Sequence, residues 1–311
     1  MKILEFFIEK LGENEFNLIY KDRSFKVRFT KFFYRNLERI KNHETGKEKI
    51  SKEKYEKTLE LIGEEIKLFL FQDEIKEEID NIFREAEKEG EKVVIKINSD
   101  SADVHNLPFE LIRYDNQYLL KKPNFFLVRD TPSVSDLKRV SKEPKEKLKI
   151  LVLISLPLET YKSSPLDLLE EIKNIYSALE PEIKKGNIEI YIEEKVNINI
   201  VYKILEKESF DIVHFTGHGT EGGYLIFEDE REPSKEKLVS IKDFRNMFIS
   251  RQPDLFFLDA CSTGESHYYS PSIAFNLYKD FTNSSVVANL TSVSDREATE
   301  GAKYFYKSLI E

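Results

Sequence analysis

Hydrophobic and polar residues alternate in short runs at the start of the chain. Residues 2–9, 16–21 and 24–30 show the period of two that is typical of half-buried strands. The polar segment 41–51 predicts a solvated loop. The chain therefore begins as a β-rich region.

A helical pattern follows. Between Tyr55 and Phe69 apolar residues recur three and four positions apart, which predicts an amphipathic helix. A second stripe covers 75–86, and Gly90 is its predicted C-cap. Strands are predicted at 93–97 and 125–128. Such stripes are typical of core packing, so the first part of the chain reads as a small α+β half.

The pattern changes after residue 147. Residues 148–155 form an almost uniformly apolar run, as expected of a strand buried on both faces. Further strands are predicted at 188–192, 211–216, 255–258 and 286–290, and helices at 166–179 (ending near Pro181), 198–206, 241–248, 272–279 and 297–310. This alternation predicts an α/β fold with an open, mostly parallel sheet and helices on both faces.

Two charged segments interrupt these patterns. Residues 132–147 are polar and lack apolar periodicity, which indicates a boundary between a half at 1–140 and a half at 146–311. Residues 228–237 are also charged. A solvated connection is the favoured interpretation of this loop, and a substrate-side or activation loop is the alternative.

Composition narrows the function classes. The 311 residues are 40% hydrophobic and 34% charged, which is typical of a soluble globular protein. A net charge of −9 with interleaved lysine and glutamate argues against nucleic acid as the main partner. The apolar runs are too short to span a membrane, and the N-terminus lacks the features of a signal peptide. We therefore expect a cytoplasmic protein.

The chain has one cysteine, Cys261, so a disulfide within it is excluded. A lone cysteine is most often a small core residue. The histidines at 43, 105 and 267 show no metal-ligand spacing, and we interpret them as surface or local packing residues. No metal or cofactor is expected.

The position of Cys261 changes the interpretation of this residue. It stands in the segment DLFFLDACSTG, directly after a predicted strand, and His218 stands in HFTGHG after another. Functional groups of open α/β sheets gather beyond the carboxyl ends of the strands, so the two side chains meet if these strands are neighbours.

A cysteine and a histidine at one sheet edge can perform nucleophilic catalysis. A nearby imidazolium lowers the thiol pKa from about 8.5 and yields a thiolate, and the imidazole can then protonate a leaving amine. Gly217 and Gly219 allow the chain to bend around His218. The backbone amides of Gly219 and Cys261 could form an oxyanion hole.

These motifs resemble the CHAT domain, a branch of the caspase, metacaspase and separase group of cysteine peptidases. LPFELIRYD followed by NFFLVRD resembles the N-terminal motif of that family, and PSIAFNLY with SSVVANLTSVSDREATEGAKYFYKSL resembles its closing segment. The resemblance implies a caspase-like sheet preceded by a smaller, non-catalytic, pseudo-protease-like half. It implies that His218 is the general acid/base and Cys261 the nucleophile.

The resemblance extends to two further residues. His214 is similar to the family's structural histidine, which agrees with the usual role of a strand histidine as a satisfied core group. Asp259 stands two residues before Cys261. An acid there implies a substrate-binding pocket for a basic P1 side chain, and an Asp that binds local amides at a strand end is the alternative.

The leading hypothesis is a cysteine endopeptidase that cleaves a specific protein substrate and is regulated by a partner or ligand. The resemblance also suggests a bacterial defence or cell-death system. One alternative is a catalytically silent caspase-fold scaffold, against which the presence of both His218 and Cys261 argues. The other is a Cys-dependent hydrolase or acyltransferase acting on a small molecule, which would need a deep enclosed pocket rather than an open groove.

Overall fold

A computed structural model describes residues 1–44, 46–132, 146–163, 166, 168–220, 223–260, 272–281, 283–289 and 295–310. The chain divides into two compact units, Met1–Asp136 and Leu137–Glu311. The division lies within the charged segment 132–147 noted above. Each unit is described on its own.

The first unit contains a five-stranded mixed sheet in the order β3-β2-β1-β4-β7. Its strands are β1 (Lys2–Lys10), β2 (Glu15–Tyr20), β3 (Arg23–Arg28), β4 (Val93–Asn98) and β7 (Phe125–Asp130), with a small ladder of β5 (Arg113–Tyr114) and β6 (Gln117–Tyr118). The pairs β1–β2 and β2–β3 are antiparallel. The pairs β1–β4 and β4–β7 are parallel. The five strand segments were predicted from sequence, whereas their order and pairing were not.

Helices α1 (Lys31–Glu44), α2 (Lys52–Leu70), α3 (Asp73–Glu89) and α4 (Ala102–His105) complete the first unit, with 3-10 turns at Phe109–Leu111 and Leu119–Lys121. Gly90 caps α3 with φ 68°, as predicted. The prediction of a loop from residue 41 was partly wrong, because α1 continues to Glu44. Its Phe33, Leu37 and Ile40 pack on the core and are spaced four and three residues apart, so the helical stripe is present in the sequence and was overlooked.

The second unit contains a five-stranded sheet in the order β14-β13-β10-β8-β9. Its strands are β8 (Leu148–Ser155), β9 (Ile188–Glu194), β10 (Ile212–Gly217), β13 (Leu255–Asp259) and β14 (Ser285–Ala288). All four strand pairs are parallel, as predicted. A separate antiparallel hairpin joins β11 (Leu225–Glu228) to β12 (Glu236–Val239).

Helices cover both faces of this parallel sheet. They are α5 (Leu158–Ser163), α6 (Leu168–Lys184), α7 (Ile198–Lys207), α8 (Ile241–Phe248), α9 (Ile273–Asp280) and α10 (Asp295–Ile310). Helices α6 and α10 contribute to one buried cluster, with residues such as Ile150 and Phe257 of the sheet. Helices α7, α8 and α9 contribute to a cluster with Val213 and Phe256. This layered α/β arrangement is compatible with a caspase-like fold.

Helix α6 departs from the prediction that it would end near Pro181. The helix continues to Lys184 with the proline inside it. Ile183, beyond the proline, packs against the buried cluster under α6 and α10. That tertiary contact outweighs the local cost of the missing N–H.

Among the described helices, none is long and apolar enough to cross a membrane.

Candidate active site

The topology of the second unit places the carboxyl ends of β10 and β13 side by side. Strands β10 and β13 are parallel neighbours, with Thr216 opposite Asp259. In chain order the five strands are arranged as 2-1-3-4-5 from β9 to β14, the doubly wound order in which ligands bind beyond the carboxyl ends. His218 and Asp259 lie at that edge. The predicted nucleophile Cys261 lies outside the described residues.

His218 is half-buried and sits directly after β10. Its carbonyl oxygen accepts a hydrogen bond from the Ile226 amide at 2.9 Å, and Gly219 forms an antiparallel bridge with Leu225. The hairpin β11–β12 therefore fixes the backbone of the turn that carries the imidazole. The predicted role of the Gly219 amide in an oxyanion hole stays a prediction.

Gly217 meets a packing constraint in addition to the bend expected there, where its φ is positive. A Cβ at this position would stand 2.6 Å from the Ser155 carbonyl oxygen and 3.1 Å from Cζ of Phe215. The neighbouring strand β8 thus comes too close for any side chain there. The glycine before His218 is required by the packing of β10 against β8.

The charged segment 228–237 connects β11 and β12. It also contacts the segment that follows β8: the Glu159 amide donates to the Ser234 carbonyl at 3.0 Å, and Thr160 Oγ1 donates to a Glu236 carboxylate oxygen at 3.0 Å. Helix α5 is therefore bonded to the hairpin that holds His218. The two interpretations of this loop stay open.

Asp259 ends β13 and is only 6% exposed. Its Oδ1 accepts a hydrogen bond from Asn289 Nδ2 at 3.1 Å, and Asn289 directly follows the neighbouring strand β14. The carboxyl group is thus held by a side-chain amide at the sheet edge. A buried carboxylate is costly without such a donor or a cation.

A hydrogen-bonded network lies under this edge, around the fully buried His214 of β10. Nδ1 is 3.0 Å from the Tyr306 hydroxyl of α10, and Nε2 is 3.1 Å from Oε1 of Glu171 on α6. Burial, followed by the charge of Glu171, raises the pKa of Tyr306, so its hydroxyl keeps its proton. A carboxylate oxygen only accepts, so Nε2 of His214 is the donor to Glu171 in this pair.

Thr216 completes the network by donating its hydroxyl to Oε2 of Glu171 at 2.6 Å. Both residues are buried. Both carboxylate oxygens of Glu171 therefore accept from β10, and the strand that leads to His218 is joined to α6 and α10. His214 is a satisfied core group, as interpreted from its place in a strand.

The ligand atoms of Glu171, His214 and Asp259 also lie within 4.8 Å of one another, close enough for a metal ion to be considered. The atoms facing each other in His214 and Glu171 are already joined by a hydrogen bond, and Asp259 accepts from Asn289. These hydrogen bonds engage the facing atoms of His214 and Glu171 and one oxygen of Asp259. Sequence reasoning missed Glu171 and Tyr306 because both stand in helical segments whose polar residues are usually exposed.

Two of the other histidines have local partners. His43 Nδ1 is 3.1 Å from the Glu48 carbonyl oxygen, and buried His105 has Nε2 2.7 Å from the Ser99 carbonyl oxygen. Both agree with a packing role. His267 lies outside the described residues.

The motif LPFELIRYD with NFFLVRD forms a structural clamp in the first unit. The Arg129 guanidinium binds both carboxylate oxygens of Glu110. It also donates to the Leu107 carbonyl at 2.9 Å and the His105 carbonyl at 3.1 Å. These bonds join the end of β7 to the turn after α4. Glu110 and Arg129 of this motif therefore stabilise the fold of the first unit.

Comparison with known families gives a match over most of the chain. The model of the CHAT domain matches residues 62–311, which cover more than half of the first unit and the whole of the second. No curated protein matches the chain. The family match includes both marked strand ends and the helices that hold His214. The chain belongs to the CHAT domain family, which is related to the caspase-like proteases.

Proposed function

We propose that this protein is a cysteine endopeptidase in which His218 is the general acid/base and Cys261 the nucleophile. The observation that carries the proposal is the register of β10 and β13, which pairs Thr216 with Asp259. His218 and Cys261 each follow their strand's member of that pair by two residues. Adjacent strands lie about 4.8 Å apart, so this register supports a contact between thiol and imidazole.

The proposed reaction is acyl transfer through a thioester. The imidazole of His218 takes the thiol proton of Cys261, and the thiolate attacks the peptide carbonyl carbon. Amides of Gly219 and Cys261 donate to the resulting oxyanion. The imidazolium then protonates the leaving amine as the C–N bond breaks, and water, deprotonated by His218, hydrolyses the thioester.

Substrate selection belongs to the same proposal. Asp259 is a buried carboxylate at the sheet edge, two residues before the nucleophile, and we assign it to the binding of a basic P1 side chain. We further propose that the substrate is a protein, that a partner or ligand regulates cleavage, and that the first unit is non-catalytic.

The test uses the fact that Cys261 is the only cysteine. Every thiol alkylated by iodoacetamide in this chain is Cys261, so the pH dependence of alkylation gives its pKa directly. We expect rapid alkylation of the wild type at pH 6, and a profile near pKa 8.5 for His218→Ala. Identical profiles for the two proteins would contradict the proposal and favour a catalytically silent scaffold.

Peptidyl electrophiles test the substrate class. Probes with Arg, Lys, Met or Asp at P1 are incubated with the wild type, His218→Ala and Cys261→Ala. We expect labelling by the Arg and Lys probes in the wild type alone. Labelling that persists in Cys261→Ala would show that the probes react elsewhere.

A further inference from the structure

A cleft of about 70 Å³ opens beside Asp259, between the sheet edge and helix α10. One wall consists of residues 257–259 of β13 and 287–289 at the end of β14. The other wall belongs to α10 and consists of Glu297, Ala298, Gly301 and Ala302. The final helix therefore shapes the space next to the carboxylate that precedes the nucleophile.

The helical wall is formed by small residues. Ala298, Gly301 and Ala302 are three and four positions apart and so share one face of α10. A Cβ built on Gly301 would meet no atom within 4 Å. The glycine thus leaves space that a larger side chain would fill. The small side chains leave room beside Asp259 for part of a ligand side chain.

The cleft is acidic at two points. Asp259 is buried within it, while Glu297 is exposed on the first turns of α10. The described residues that line it include no lysine or arginine. A carboxylate in a low-dielectric setting favours a cationic partner, and an exposed carboxylate at the opening adds a weaker, screened attraction.

We propose that Glu297 and Gly301 determine substrate specificity together with Asp259, by forming a cleft for the stem and cation of an arginine or lysine side chain. The inference rests on the proposed function, which places the scissile bond next to Asp259. Gly301 leaves room for the stem, Asp259 binds the cation, and Glu297 attracts it at the opening. Specificity is thereby encoded partly in the last helix, far in sequence from the histidine and cysteine motifs.

The three side chains should differ in their effect. Loss of a buried charge partner costs at least about 30-fold in affinity, so Asp259→Asn should show a loss of that size. Loss of an exposed charge costs about two- to five-fold and is salt-dependent, which is the effect expected for Glu297→Gln. Gly301→Leu fills the cleft and should abolish binding.

The experiment measures binding without catalysis. Agmatine, which carries the stem and guanidinium of arginine, is titrated by calorimetry into the Cys261→Ala chain and into further variants made in that background. We expect agmatine to bind the parent chain. Asp259→Asn should weaken this binding by at least about 30-fold and Glu297→Gln by about two- to five-fold, and Gly301→Leu should abolish it. Glu300→Gln is the matched control, because Glu300 is an exposed acid of the same helix that pairs with Arg296. Neutral pentylurea should not bind.

The outcomes separate the two proposals. Agmatine that fails to bind, or binds Gly301→Leu and Asp259→Asn as well as the parent chain, would overturn the assignment of the cleft. Ala298→Leu serves as a second blocking variant in case Gly301→Leu is not folded, as judged by circular dichroism. Agmatine could bind as expected while the pH profile of Cys261 alkylation is the same in the wild type and His218→Ala. That result would support the cleft assignment and contradict the peptidase proposal. Cleavage of peptides only after Met or Asp would support the peptidase proposal and contradict the cleft assignment.

Discussion

At the scale of single residues, the polar centre of the second unit's core is His214. Its two ring nitrogens bond to Tyr306 and Glu171, which belong to different helices. A buried polar group that loses its partner costs about 1–3 kcal/mol. We therefore expect Tyr306→Phe to lower the free energy of unfolding by about that amount, because Nδ1 of His214 loses its hydrogen-bond partner.

Tyr304 provides the control for this substitution. It stands on the same helix but is 65% exposed, whereas Tyr306 is fully buried. Tyr304→Phe should change stability by less than about 0.5 kcal/mol. Urea denaturation of both variants measures the difference. Equal effects of the two substitutions would mean that the hydroxyl of Tyr306 contributes nothing to the network.

His105 gives the first unit a pH-dependent stability. Burial lowers the pKa of His105 from 6.5 to about 4, against the opposing effect of its hydrogen bond to the Ser99 carbonyl. Between these values the unfolded chain binds a proton that the folded chain does not, so stability falls as pH falls from 6.5 to 4. The shift corresponds to about 3 kcal/mol at most.

The variant His105→Asn isolates this contribution. Asparagine keeps an N–H donor toward Ser99 but does not titrate in this range. Urea unfolding of wild type and variant at several pH values between 4 and 7 gives two curves. We expect their difference to shrink toward low pH. A constant difference would show that His105 titrates alike in the folded and unfolded chain.

Residues at the carboxyl end of a strand were easier to predict from sequence than residues that hold the strand in place through side-chain hydrogen bonds. His218 and Asp259 were visible because each follows an apolar run, and parallel strands expose their carboxyl ends together. Glu171 was invisible because a glutamate on a helix is normally solvated, and only the fold reveals that this one is 3% exposed. Cys261 was predicted from sequence alone and lies outside the described residues.

At the scale of elements, two helix-interior glycines have opposite surroundings. A Cβ on Gly63 of α2 would overlap the backbone carbonyl oxygen of Leu111, whereas a Cβ on Gly301 of α10 would meet nothing within 4 Å. Gly63→Ala should therefore destabilise the protein by about 1–3 kcal/mol through overpacking. Gly301→Ala should stabilise it by about 0.5–1 kcal/mol through helix propensity.

Each glycine variant is the control for the other, because both replace a helical glycine with alanine. Chemical denaturation gives the sign of each effect. A stabilising Gly63→Ala would mean that α2 can move away from the turn at Leu111. A destabilising Gly301→Ala would mean that the open space beside α10 is closed in solution, which would also weaken the assignment of the cleft.

Elements with a strong single pattern were the most predictable. Strand β8 was predicted with the bounds it has, since its apolar run is almost unbroken and six consecutive residues of it are buried. The hairpin of β11 and β12 was missed: its strands have four residues each, too few to show alternation. The end of helix α6 was predicted too early, near Pro181. The helix continues because Ile183 packs on the core, and this tertiary contact is not visible in the local sequence.

At the scale of the whole molecule, the two units have separate hydrophobic clusters. One cluster contains only residues from Leu4 to Phe125, and the clusters of the second unit contain only residues from Leu148 onward. Each sheet is likewise built from strands of one unit. Sequence predicted both classes of unit from the change of pattern after residue 147, but the mixed order of the first sheet required the fold.

This separation predicts that the first unit folds by itself. All five strands of its main sheet lie between Lys2 and Asp130, so no backbone ladder is lost in a fragment that ends at Asp136. Phe83 is fully buried against Phe71, Tyr114 and Phe125 in that core. We expect residues 1–136 to unfold in one cooperative transition, and Phe83→Ala to lower its stability by about 3–5 kcal/mol. Circular dichroism during urea titration measures both quantities. A fragment without a cooperative transition would show that the first unit needs the second to fold, even though its strands and its core are complete.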